Sequence, residues 1–208
     1  TDTRIAYADR RGIRIVAGDG SGDRLLAPGE TGPLAWRPGT LQVAYVSGSE
    51  VRLQDAATGR VVWRAMRGPA DAAIALEWSD DGRRLLVLTE RAIRVFDARG
   101  RLAAREETVS GRYAAAAFRP RGQDVAVVRE RGGQSRVFRL RDGRTLFSGT
   151  GALGDLAWSP DGRWLAVAWP DADQLVLVQP GVDRRIRAVG GLSRQFRSRT
   201  FPRLAGWR

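Results

Sequence analysis

A short motif returns along this chain at nearly constant distance: an apolar pair and an aromatic, then a polar turn. It reads Leu34-Ala35-Trp36-Arg37-Pro38-Gly39, then Leu76-Glu77-Trp78-Ser79-Asp80-Asp81-Gly82. It returns as Ala116-Ala117-Phe118-Arg119-Pro120-Arg121-Gly122 and as Leu156-Ala157-Trp158-Ser159-Pro160-Asp161-Gly162. A fifth copy, Leu204-Ala205-Gly206-Trp207-Arg208, stops at the C-terminus. The aromatic anchors lie 42, 40, 40 and 49 residues apart. Such a chain is an array of one supersecondary unit, each copy burying its apolar face on the next.

Every anchor is followed by the same grammar. A first apolar run follows it (Val43 to Val46, Arg84 to Leu88, Val125 to Val128, Trp164 to Ala168), then a polar hinge. A second run (Val51 to Leu53, Ile93 to Phe96, Val137 to Leu140, Leu175 to Val178) leads into a Gly-containing turn. A last run, such as Val61 to Trp63 or Thr145 to Phe147, closes the unit. Short β-rich runs joined by Asp-Gly and Pro-Gly turns predict antiparallel meanders of four strands. Residues 1–32 lack the anchored first strand but show the other three, at Arg4 to Ala8, Ile13 to Ala17 and Arg24 to Ala27. Joining the ends as a circle puts 37 residues between Trp207 and Trp36. A period near 40 built from strands is the mark of propeller blades. The expected fold is therefore all-β: a five-bladed β-propeller of four-stranded antiparallel blades, one domain over residues 1–208. The blades would be 202–208 with 1–32, then 33–73, 74–112, 113–152 and 153–201, the C-terminal strand completing the N-terminal blade.

The copy Trp158-Ser159-Pro160-Asp161-Gly162-Arg163-Trp164-Leu165-Ala166 resembles the repeat of WD40-like and TolB-like bacterial β-propellers. The blade grammar extends the resemblance over the whole chain. It departs from eukaryotic WD repeats in lacking a Gly-His pair and a Trp-Asp pair. What the resemblance implies is a scaffold, since propellers serve enzymes, lectins and docking modules alike.

Composition removes much chemistry. Cys, His, Lys and Asn are absent, and all 35 basic residues are Arg. Disulfides, thiol or imidazole catalysis and zinc sites of nitrogen and sulfur ligands are excluded. No metal or cofactor is expected. No apolar stretch reaches the ~18 residues of a membrane span. Arg in place of Lys suggests a GC-rich bacterial genome, and an opening at Thr1 implies that a signal peptide, an anchor or another domain once preceded it. A bacterial envelope or extracytoplasmic location is favoured over the cytoplasm.

The Pro-Asp-Gly turns are expected to be structural: Pro sets φ, Asp bonds its own backbone, and Gly supplies a positive φ. The innermost strands carry only Glu77 and Asp155 as carboxylates, a poor start for the facing pair a glycosidase requires. Asp171 and Asp173 share one hinge, a weak calcium signal beside that of ordinary turn acids. Charge is more telling. Residues 113–152 hold 8 Arg against 3 acids, and 153–208 hold 9 against 5, so these two units carry +9 of the total +12. The longest anchor spacing is due to the stretch 190–201, which contains Ser193-Arg194-Gln195-Phe196-Arg197-Ser198-Arg199.

These features predict a non-catalytic interaction module, monomeric, docking a protein partner through inter-blade hinges. Its docking face would include Arg67, Arg112, Arg131, Arg194, Phe196, Arg197 and Arg199, with arginines steering an acidic surface or polyanion and the aromatic anchoring it. The alternatives are a lectin-like binder of carbohydrate or anionic polymer, and a sugar-processing enzyme using Glu77.

Overall fold

The computed structural model describes residues 4–30, 32–66, 68, 71–181, 185–198 and 200–204. The chain divides into two compact units, residues 1–106 and 107–208.

The first unit holds three sheets. Strands β1 (Arg4–Asp9), β2 (Gly12–Ala17) and β3 (Arg24–Pro28) form a three-stranded sheet. The second is β4 (Leu34–Trp36), β5 (Gln42–Ser47), β6 (Glu50–Asp55) and β7 (Val61–Met66). The third is β8 (Ala73–Trp78), β9 (Arg84–Thr89), β10 (Ala92–Asp97) and β11 (Leu102–Glu107), ending at the unit boundary. The second unit begins with β12 (Arg112–Phe118), β13 (Val125–Arg131), β14 (Gln134–Arg139) and β15 (Thr145–Thr150). It continues with β16 (Leu156–Trp158), β17 (Leu165–Trp169), β18 (Gln174–Gln179) and β19 (Arg185–Gly190), followed by a short helix α1 (Leu192–Gln195). Each sheet is an antiparallel meander in chain order, so the expected grammar of anchor, hinge and turn is realised strand by strand. The first strand expected for the sheet β1–β3 from residues 202–208 differs: residues 201–204 are not strand, and 205–208 lie outside the described residues.

Why the middle strands read as unbroken apolar runs follows from their burial on both faces. On β5, Val43 and Tyr45 pack with Ile13, Ile15 and Leu26 of the first sheet, while Ala44 packs with Trp78, Leu85, Val87 and Phe96 of the third. Alternate residues thus serve alternate neighbours. In the second unit Ala126, Val128 and Val137 meet Trp158, Leu165, Val167 and Val178 in the same way. Outer strands have less to cover: β7 alternates between half-buried and exposed, and all six residues of β19 are exposed.

Candidate docking rims

A meander exposes two loop edges. The turns between first and second and between third and fourth strands form one, here called the turn rim. The hairpins between second and third strands, with the connections from sheet to sheet, form the hinge rim.

On the turn rim, side chains close their own loops. Ser79 Oγ donates to Asp81 Oδ1 at 2.7 Å, and the Arg83 and Arg84 N–H groups donate to Asp81 Oδ1 and Ser79 Oγ. Ser159, Asp161, Arg163 and Trp164 repeat this arrangement. Asp55, Asp97 and Asp142 each accept backbone N–H groups of the residues after them. These hydrogen bonds hold the five carboxyl groups below the usual carboxylate range. Asp142, which also accepts from the Arg139 guanidinium, is lowered to about 2.

Arginines on this rim reach from one sheet to the next. Arg37 Nε donates to the Gly82 carbonyl at 2.9 Å, with its guanidinium 5.3 Å from the Trp78 ring centroid. Arg119 does the same to Gly162 at 2.8 Å, 5.5 Å from the Trp158 ring. Arg24 donates to the carbonyls of Ala56 and Ala57, and Arg144 to that of Gly181. Trp63 Nε1 makes the corresponding reach to Ala98. Much of the arginine excess on this rim is therefore spent inside the fold.

The hinge rim of the second unit is organised by a chain of hydrogen bonds. Gly151 N–H donates to Gly133 and the Gly151 carbonyl accepts from Ser135 Oγ; Asp171 accepts from Ala152 N–H. Asp173 accepts from both the Ser193 N–H and Oγ at 2.8 Å, pinning α1 to the turn after β17. The two hinge acids thus hold backbone rather than gather round a cation, and no group of three acids positioned for a metal occurs among the described residues. On the pinned segment Phe196 is 63% exposed, between the exposed Arg194 and Arg197. Arg197 takes a left-handed φ of 48° as the chain turns off the helix.

The other predicted residues fall as follows. Arg131 ends β13, exposed on the same rim. Arg112 opens β12, with its Nε 2.8 Å from Glu130 on the next strand. Arg67 and Arg199 lie outside the described residues. Glu77 is half-buried on β8 opposite Leu86, and Asp155 accepts the Leu204 N–H at 3.2 Å. Sequence reasoning missed the Asp173–Ser193 tether. Its only signal was a hinge acid 20 residues ahead of a Ser.

No family model and no curated protein matches the chain by sequence. Solved structures do. A chain of the mitotic checkpoint complex superposes with a TM-score of 0.72 at 18% identity, over 90% of this chain and 62% of that one. The fold is that of a WD40-like β-propeller. The β-propeller domain of Myceliophteria thermophila Cps50 (Swd1) matches at 0.66 and 14% identity, over 92% and 69%. Kuenenia stuttgartiensis hydrazine synthase matches at 0.63 and 13%, over 89% and 65%. The propeller chain therefore spans about two thirds of the length of these neighbours, and at such identities they show the fold alone. No helix among its described residues is long and apolar enough to cross a membrane.

Proposed function

We propose that this propeller is a non-catalytic interaction module that docks a protein partner through its hinge-rim loops. The observation that carries the reading is Phe196: a large apolar side chain held out to solvent between two arginines, on a segment fixed by Asp173. Aromatic and arginine side chains on a rigid mount are what binding hot spots are made of. The chain similar to it in the mitotic checkpoint complex also belongs to a protein assembly. We extend the reading to five blades in one domain over 1–208, with the C-terminal strand completing the sheet β1–β3. The 37-residue interval through the joined ends and the missing first strand of that sheet support this. The Trp-Ser-Pro-Asp-Gly copy supports a TolB-like bacterial origin in the envelope.

Capture of a partner from the native host tests the docking. The wild-type chain is expected to retain one protein that the combined variant Phe196→Ala, Arg194→Gln, Arg197→Gln loses by ~30-fold or more, as for a central hot spot worth ~2 kcal/mol. Circular dichroism should be the same for both. Undiminished capture by the variant would overturn the assignment of this face. The basic excess of residues 113–208 favours a second reading, an anionic-polymer binder. An acidic glycan bound tightly at ~50 mM salt and released by ~500 mM would support it.

A further inference from the structure

Arg129 on β13 and Arg136 on β14 stand directly opposite each other, and Ser148 on β15 continues the row. Like charges so placed repel. Beside them opens a depression of about 390 Å³ lined by Arg129, Arg131, Gln134, Ser135, Arg136 and Ser148. None of these is a carboxylate. The adjacent acid, Glu130, is engaged by Arg112. Arg136 lays its guanidinium 4.8 Å from the Phe138 ring centroid, which fixes the orientation of the fork. Arg129 is half-buried; its Nη2 donates to the Ser110 carbonyl at 3.1 Å, while its Nε is buried without a partner. The sheet thus gathers three guanidinium groups around a concavity whose described lining residues include no acid.

We propose that this depression binds a small organic oxyanion, a ligand carrying carboxylate or phosphate oxygens. Arg129 and Arg136 would form the clamp and Arg131 the mouth, since guanidinium forks match both oxyanions bidentately. The volume lies at the lower end for small-molecule sites and exceeds what one inorganic ion fills. Gln134 and Ser148 supply neutral donors and acceptors for the rest of the molecule. The site uses no residue of α1 and shares only Arg131 with the predicted docking face.

Calorimetric titration of the intact chain tests it, with citrate, inorganic phosphate and a glutamate–glycine peptide as probes and N-acetylated glutamine–glycine amide, which carries no carboxylate, as neutral control. At least one anionic probe should bind saturably at 1:1 and raise the melting temperature. Arg136→Gln and Arg129→Gln should each weaken that binding ~10-fold or more. Arg163→Gln, an equal change of net charge at an exposed position on the turn rim, should leave it unchanged. Which probe binds identifies the source of the oxyanion. Arg136 is exposed, so its variant remains informative even if the Arg129 variant fails to fold. The proposal is overturned by silence from every anionic probe, or by equal weakening in Arg163→Gln, which would reduce the effect to the general basic field.

Discussion

At the scale of single residues, the anchor turns come in two kinds that differ in where the backbone turns left-handed. After Ser79 and Ser159 the positive φ falls three residues on, at Gly82 (62°) and Gly162 (66°). After Arg37 and Arg119 it falls two residues on, at Gly39 (69°) and Arg121 (56°). The positive φ that the sequence assigns to the glycine of the Pro-Asp-Gly turns falls at the third anchor, Pro120-Arg121-Gly122, on Arg121 instead, with Gly122 one place later. An L-residue in this region is strained by ~1–2 kcal/mol, which glycine escapes. Arg121→Gly is therefore expected to stabilise the protein by about 1 kcal/mol, read as a higher denaturant midpoint at unchanged slope. An unchanged or lower midpoint would show that the arginine's own contacts outweigh its backbone strain. Position in a turn was thus legible to within one residue, but its hydrogen-bond type was not, because one register shift exchanges the roles of neighbours.

Between elements, the arginines of the two Arg-Pro turns act as latches. Each joins the end of one sheet's first strand to the following sheet's turn and covers that sheet's tryptophan. The pairs are not identical underneath: Trp158 Nε1 donates to the Ala117 carbonyl at 3.3 Å, whereas Trp78 Nε1 is buried without a partner. A latch requires a planar fork, so Arg119→Lys, which keeps the charge, should still cost about 1 kcal/mol from the lost stacking and directional bond. Thermal unfolding of that variant beside the exposed Arg121→Lys measures it, and equal stabilities would remove the latch. None of this was readable beforehand. The strands were, since their period of two is a local property, but Arg37 and Gly82 meet only once two sheets are stacked. The helix α1 was equally hidden, its four residues being too few to show a helical period.

Over the whole molecule, the charge asymmetry visible in composition proves to be two populations. Arg139, Arg141 and Arg144 face acids or carbonyls of the turn rim. Arg129, Arg131 and Arg136 gather at one depression with no acid among its described lining residues. Composition counted both alike because side-chain direction is absent from a count. Acid response also belongs to this scale. The depressed values at Asp55, Asp81, Asp97, Asp142 and Asp161 mean that the folded state binds fewer protons than the unfolded one. Their stabilisation is complete above the unfolded carboxylate range near ~4 and is lost as pH falls through the lowered folded values, about 2 for Asp142. With no histidine in the chain, melting temperature should stay level from pH ~8 to ~5 and drop below ~4. Asp81→Asn with Asp161→Asn should flatten that drop; an acid limb as steep as wild type would place its origin elsewhere. The two kinds of anchor turn carry one more consequence. Arg37 and Arg119 recur 82 residues apart and Ser79 and Ser159 80 apart, so the unit that copies itself intact is a couple of sheets, not one. Lengthening such a chain obeys a parity rule: a block like residues 33–112 can be inserted with every giver facing its receiver, while a lone sheet sets two givers or two receivers side by side.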